Sequence, residues 1–191
     1  MSSRRKPSRR TRVLVGGAAL AVIGAGVVGT VAANAADSTG TASAASAAAP
    51  VAVRGGDLTR STHLTLAAAE KAARAALDAA AKEGRQVSVA VVDRNGNALV
   101  TLRGDGAGPQ SYESAERKAY TAVSWNAPTS ELARRLEQAP TLKDIPGTLF
   151  LAGGAPVTAE GVPVAGIGVA GAPSGDLDER YAQAGVAVLG R

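Results

Sequence analysis

Cysteine is missing from this chain of 191 residues, and it has only one histidine, one methionine and 3% aromatic residues. Without cysteine there is no disulfide framework and no thiolate nucleophile. One histidine and no cysteine cannot supply the nitrogen and sulfur ligands that zinc prefers. The chain also lacks a Gly-x-Ser-x-Gly elbow and a phosphate loop closed by Lys-Ser/Thr. Stability must therefore come from the hydrophobic core, and several common enzyme classes are excluded.

Acidic residues are absent from the first 35 positions, where six basic residues precede an apolar run at 13–33: Arg4, Arg5, Lys6, Arg9, Arg10 and Arg12. A charged start, an apolar run and the small-x-small exit Ala33-Asn34-Ala35 predict an export signal over residues 1–35, cleaved after Ala35. The alternative is an uncleaved membrane anchor. Ser8-Arg9-Arg10 resembles a twin-arginine signal, so twin-arginine and Sec export both stay open.

The basic character of the chain belongs to this segment, since it contains six of the 21 Lys and Arg residues while all 16 Asp and Glu lie outside it. The remaining chain is close to neutral, so the pI of about 10.0 gives no support for nucleic-acid binding. Residues 36–56 are almost entirely Ala, Ser, Thr and Gly. They predict a flexible tether, followed by one domain over 57–191.

Hydrophobic patterning predicts four helices and four strands in the domain. Helices are expected at 64–81, with Thr65 as N-cap, and at 110–124, 130–138 and 176–189. Strands are expected at 86–93 and 98–103, joined by an Asn-Gly hairpin turn, and at 148–152 and 162–170. This order favours an α/β (α+β) fold with an antiparallel sheet and flanking helices. The Ala- and Gly-rich composition also suggests burial between subunits.

One helical turn of the stretch SYESAERKAYTAVSW holds two acids three positions apart, Glu113 and Glu116. On a helix their carboxylates point the same way and can converge on a hard cation such as iron, manganese, magnesium or calcium. The alternative is a solvated helix face on which Glu113 pairs with Arg117 at i+4. His63, the single histidine, is either a ligand or an ordinary surface residue.

Four strings in fixed order, VAVVDRNGNALVTLR, SYESAERKAYTA, IPGTLFLAGGAPV and VAGIGVAGAPSGDLDERYAQAG, resemble the GlcG/HbpS-like family, specifically its secreted haem-binding members from actinobacteria. The resemblance covers residues 64–190. It implies a profilin-like fold, haem b and an iron ion as cofactors, and an octamer.

The resemblance also implies roles for individual residues. Haem-binding members use a threonine as axial ligand, and IPGTLFL places Thr148 at the matching position. The alternative is that Thr148 only opens a strand. The conventional axial ligands present are His63, Tyr112, Tyr120 and Tyr181, because cysteine is absent and methionine is confined to position 1.

In the same members an E-x-x-E pair with a nearby histidine binds free iron, which here implies Glu113, Glu116 and His63. Arg117 and Lys118 are expected to hold these carboxylates or to contact haem propionates. The implied function is haem and iron binding in haem or oxidative-stress sensing, together with a membrane sensor histidine kinase. The alternative is a haem-degrading enzyme or an accessory protein of small hydroxy-acid metabolism. A binding protein is favoured over an enzyme, and no nucleic-acid partner is expected.

Overall fold

A computed structural model describes residues 51–190 of the chain. The predicted export signal and tether residues 36–50 lie outside this part. Tether residues 51–56 are exposed and run into a short 3-10 helix at Gly55–Asp57. Within the described part, no helix is long and apolar enough to cross a membrane. The elements in chain order are α1 Leu66–Lys82, β1 Ser88–Asp93, β2 Ala98–Arg103, α2 Ser111–Trp125, α3 Thr129–Arg135, β3 Gly154–Ala159, β4 Val162–Ala170 and α4 Gly175–Ala187.

Helix α1 forms because its sequence is rich in alanine and its first turn is capped. The Thr65 hydroxyl accepts a hydrogen bond from the amide of Ala68 at 3.2 Å, which confirms the predicted N-cap. The helix ends before Gly84, whose φ of +66° lies in the left-handed region. Its fully buried stripe consists of Ala69, Ala72, Ala73, Ala76 and Ala80. These small side chains let α1 pack closely against the sheet and α4.

The four strands form one antiparallel sheet in the order β2-β1-β4-β3. The predicted Asn-Gly hairpin joins β1 to β2, and its turn is held by Asp93, whose Oδ1 accepts from the amides of Asn95 and Asn97 at 2.8 and 2.9 Å. Burial acts to raise the pKa of Asp93, but the hydrogen bonds from Asn97 and Asn95 outweigh it and lower that pKa. The prediction of an α+β fold built on an antiparallel sheet is confirmed.

One predicted strand is wrong, because residues 148–152 have no strand structure and β3 is Gly154–Ala159 instead. Strand β4 pairs with β3 through a tight turn at Glu160 and Gly161, which have φ of 53° and 79°. The segment before β3 packs on the helices instead. Phe150 joins a separate apolar cluster with Leu132 and meets Trp125 edge-on, with ring centroids 5.7 Å apart. The apolar run at 148–152 therefore marks helix packing, which local periodicity cannot distinguish from a buried strand.

The sheet separates two apolar layers. Alternate residues of β1 and β4 face α1 and α4 on one side, including Val89, Val91, Ile167 and Val169. On the other side, α2 lies so close to β4 that a Cβ atom at Gly166 would overlap the Ala119 carbonyl oxygen. A Cβ atom at Gly168 would likewise overlap the carbonyl oxygen of Ala115. Glycine at these two positions sets the distance between α2 and the sheet.

We therefore expect Gly168→Ala to destabilise the protein by about 3 kcal/mol, because the added methyl group must displace the α2 backbone. Gly56→Ala is the matched control, since nothing lies within 4 Å of the Cβ position there. The control should change the free energy of unfolding by less than about 0.5 kcal/mol. Urea denaturation of both variants measures the difference. Equal stability of the two variants would contradict this account of the contact.

Candidate functional site

Helix α2 carries the two acids on the flank that faces away from its buried alanines. The buried face contains Ala115, Ala119 and Ala122, and the first two pack on residues of β1 and β4. The helix ends at Asn126, which adopts a left-handed conformation with φ of 50°. Since α2 is seated on rigid strands, the side chains on its open flank are held in a defined place.

A cleft of about 500 Å³ opens along this flank, and its lining residues are Gly96, Glu113, Glu116, Arg117, Tyr120 and Gly147. The Tyr120 ring lies between two glycine turns. A Cβ atom at Gly96 would come within 2.8 Å of the ring, and both Gly96 and Gly147 have φ near +80° to +90°. Both turns need glycine for their conformation, and Gly96 also leaves the space that Tyr120 occupies. The cleft thus brings both predicted acids together with a phenol.

Arg117 connects the acid pair to the segment that carries Thr148. Its Nη1 lies 3.7 Å from Glu113 Oε1, and its Nη2 donates to the Thr148 carbonyl oxygen at 2.9 Å. The ion pair with Glu113 is the one expected for a solvated helix face, and an exposed pair of this kind contributes little to stability. Both acids nevertheless line one cleft. The arrangement leaves Glu116 free of any ion pair within the described residues.

His63 lies on the exposed segment before α1, where its Nε2 is 2.6 Å from the Ser61 hydroxyl. It does not line the cleft. In the described part of the chain, no three His, Asp or Glu side chains gather as a metal site would require. One protomer therefore supplies the two carboxylates without the imidazole that the resemblance adds to them.

Thr148 is 3% exposed and lies beside Gly147 at the edge of the cleft. Its hydroxyl donates to the carbonyl oxygen of Ile145 at 2.7 Å, in a local turn. The next residue is also held, because the Leu149 amide donates to Thr121 Oγ1 on α2 at 2.7 Å. The Thr148 oxygen keeps its lone pairs, but the surrounding turn covers it.

Lys118 has a different place from the one expected for a propionate contact. It is 5% exposed, and its ammonium donates to the Val169 carbonyl at 3.0 Å and to Asp178 Oδ2 at 2.9 Å. One step along a helix turns a side chain by about 100°, so Lys118 faces α4 while Arg117 faces the cleft. Burial raises the pKa of Asp178, although the charge of Lys118 and its hydrogen bond oppose that change. Lys118 thus binds α2 to β4 and α4.

Sequence reasoning missed the two acids at the start of α4 that organise this side of the molecule. Besides the Asp178 contact with Lys118, Glu179 accepts from the amide and hydroxyl of Ser130 at 2.9 and 2.6 Å. Both acids are more than nine-tenths buried. The available signal was their position on the apolar face of α4, next to Tyr181 and Ala182, where unpaired acids are rarely found.

We expect Lys118→Met to cost about 3 to 5 kcal/mol of stability, because it leaves Asp178 buried without its partner. The double variant Lys118→Met/Asp178→Leu should recover most of that loss, since an apolar pair can replace a buried ion pair. Denaturation of these two variants, of Asp178→Leu and of the unmodified protein gives the coupling energy. A single variant as stable as the double one would show that the pair is not energetically coupled.

Known proteins resemble this chain in sequence and in fold. The family described as "Haem degrading protein HbpS-like" matches residues 64–187. The chain belongs to the HbpS-like family. This membership makes it a haem-related protein, and the predicted resemblance is confirmed. No curated protein sequence matches the chain significantly.

Solved structures agree with the assignment. HbpS has 85% sequence identity over 74% of this chain and 100% of its own, with a TM-score of 0.73. A Streptomyces reticuli HbpS double mutant, in which two glutamates are changed to aspartate, has 84% identity over 76% of this chain and 99% of its own, with a TM-score of 0.74. A PduOC:heme complex has 27% identity over 66% of this chain and 94% of its own, with a TM-score of 0.61.

Proposed function

We propose that this HbpS-like chain binds haem b and, at a separate site, an iron ion. The observation that carries the proposal is the cleft along α2, which is lined by two glutamates, a tyrosine and an arginine. The HbpS structures support the haem part by family, and the PduOC:heme complex shows haem bound to a protein of similar fold. The double mutant of Streptomyces reticuli HbpS supports the acid pair, because its two glutamates have the same spacing as Glu113 and Glu116.

The donor atoms of the cleft suit iron. Glu113 and Glu116 offer hard carboxylate oxygens, and Tyr120 lines the same cleft. A site with these few ligands is open, so water or a second protomer would complete the coordination. His63 does not line the cleft of one protomer, so it would join the site across a contact between copies.

The double variant Glu113→Gln/Glu116→Gln should lose iron binding in anaerobic calorimetry with ferrous iron, because the amides lack the negative charge that a hard cation needs. Glu131→Gln is the matched control. Glu131 forms the same kind of exposed i, i+4 pair, with Arg135 at 3.0 Å, on α3. The control should keep full iron stoichiometry. Unchanged stoichiometry in the double variant would return the acids to ordinary surface charge.

We propose Thr148 as the axial haem ligand and Arg117 as a propionate contact. The Thr148 hydroxyl gives its proton to Ile145, so its oxygen can offer a lone pair to iron. A neutral hydroxyl is a weak ligand, and 3% exposure means that the turn at 145–148 must open before haem reaches it. Both features fit shallow, reversible capture of haem. Arg117 would move with this turn when it opens, because its guanidinium donates a hydrogen bond to the Thr148 carbonyl oxygen.

Thr148→Ala should weaken hemin binding and shift the Soret band, because it removes the proposed ligand without opening a large cavity. Thr148→Ser is the matched control, since it keeps the hydroxyl and should keep the spectrum. The conventional ligands are tested in parallel by His63→Ala, Tyr112→Phe, Tyr120→Phe and Tyr181→Phe. A silent Thr148→Ala together with loss of the band in one of these four would reassign the ligand.

The family description favours haem degradation as a second candidate function. An absorbance titration separates the two. A saturable Soret shift with a lasting band indicates binding, whereas progressive bleaching with reductant indicates degradation.

We extend the proposal to export and to sensing of haem or oxidative stress with a membrane sensor histidine kinase, as a homo-oligomer and specifically an octamer. The support is the predicted signal over residues 1–35 and the resemblance to secreted members. Exposed apolar side chains at Leu66 and Val162 suit contacts between copies. N-terminal sequencing of the exported protein tests export and signal cleavage. Its mass in solution tests whether it is an octamer.

A further inference from the structure

We propose that a second cavity, on the other flank of α2, is a binding site for a small monocarboxylate. The cavity measures about 330 Å³, and among its lining residues are Ser114, Lys118, Leu149, Leu151, Ala170 and Asp178. It shares no lining residue with the cleft that holds Glu113 and Glu116. The site is therefore distinct from the proposed iron site, while Leu149 in its wall is the neighbour of the proposed haem ligand Thr148.

A buried ion pair lines this cavity, which is unusual for a structural contact. The side chains of Lys118 and Asp178 are only 6% and 5% exposed. Such pairs seldom add stability compared with apolar residues of the same size, so their presence in a cavity asks for another role. Burial also raises the pKa of Asp178, and perturbed groups in a cleft mark candidate binding sites.

The hydrogen bonds of the pair leave a donor for a ligand. An ammonium has three N–H bonds, and Lys118 uses two of them, to Val169 and Asp178. The Asp178 oxygens are already bonded, since Oδ1 accepts from the Ala172 amide at 3.0 Å and Oδ2 from Lys118. The pair can therefore donate one more hydrogen bond, from the Lys118 ammonium. A ligand for it must be a hydrogen-bond acceptor such as a carboxylate oxygen.

The other lining residues of the cavity suit a ligand with one negative charge and an apolar body. The pair is neutral as a unit, but the first turn of α2 also lines the cavity and its cap residue Gln110 makes no side-chain cap bond. The positive end of this 15-residue helix lies toward that region, although the amides of Ser111 and Ser114 already donate to the carbonyl oxygens of Gly108 and Gln110. Leu149, Leu151 and Ala170 supply an apolar wall. These features select a short aliphatic acid over a dianion or a cation.

Butyrate is the probe, with butyramide and butylamine as neutral and cationic matches of similar size. Saturation-transfer NMR on the full chain should detect butyrate with a Kd of about 1 mM, the affinity expected for about six non-hydrogen atoms. Butyramide should bind more weakly and butylamine not at all. Equal signals from all three, or no saturable butyrate signal, would overturn the proposal.

Variants locate the binding. Leu151 is 57% exposed at the rim, so Leu151→Glu and Leu151→Gln should both fold. The glutamate should weaken butyrate binding about tenfold relative to glutamine, through one added like charge. The double variant Lys118→Met/Asp178→Leu should abolish butyrate binding but keep ferrous iron binding at the other flank. Butyrate affinity that is the same in all these proteins would place the ligand elsewhere and refute the site.

Discussion

The close contact between α2 and the central strand β4 is the constraint on which the rest of the structure depends. Gly166 and Gly168 leave no side chain between the strand and the helix, so the backbone of α2 rests directly above the sheet. The alanines of α2 match this spacing. A helix held this way cannot rotate without a clash, and its two flanks therefore face two fixed spaces. The candidate sites on either side follow from that single contact.

Polar contacts from α4 fix the positions of α2 and α3. Asp178 holds Lys118 of α2, and Glu179 holds the first turn of α3 through Ser130. Gly153 leaves room for the Lys118 ammonium, since a Cβ atom there would lie 2.6 Å from Nζ. Adjacent acids on one helix thus anchor two other helices. Glu179 also holds the end of the segment between α3 and β3, which carries Thr148, because its Oε2 accepts from the Gly153 amide at 3.4 Å.

The two flanks of α2 offer different chemistry. One flank presents the exposed Glu113 and the partly exposed Glu116 beside Tyr120 and Arg117, which suits a hard cation in water. The other presents a buried ion pair with apolar walls, which suits a small molecule that is partly removed from water. Arg117 and Lys118 are neighbours in the sequence but lie on different flanks. Arg117 faces the cleft with Glu113 and Glu116, and Lys118 faces the second cavity.

Local sequence signals determined much of the fold. The alanine stripe and Thr65 predicted α1, the Asn-Gly turn predicted the β1–β2 hairpin, and the E-x-x-E spacing predicted that Glu113 and Glu116 share one face. Each of these signals acts between residues that are close in sequence. Helix capping, turn geometry and i, i+3 spacing need no knowledge of the remaining chain.

Only the tertiary structure decided the features that join distant residues. Local pattern predicts a strand at 148–152, but Phe150 packs on Leu132 of α3. Lys118 is adjacent to Arg117 in the sequence, but in the fold it bonds to Asp178, 60 positions away. His63 likewise lies apart from the acid pair. An apolar run is buried equally well by a sheet or by a helix, and a charge takes whichever partner the fold brings near it. Sequence spacing therefore predicted the candidate iron ligands on one helix, while long-range packing determined the surroundings of both cavities.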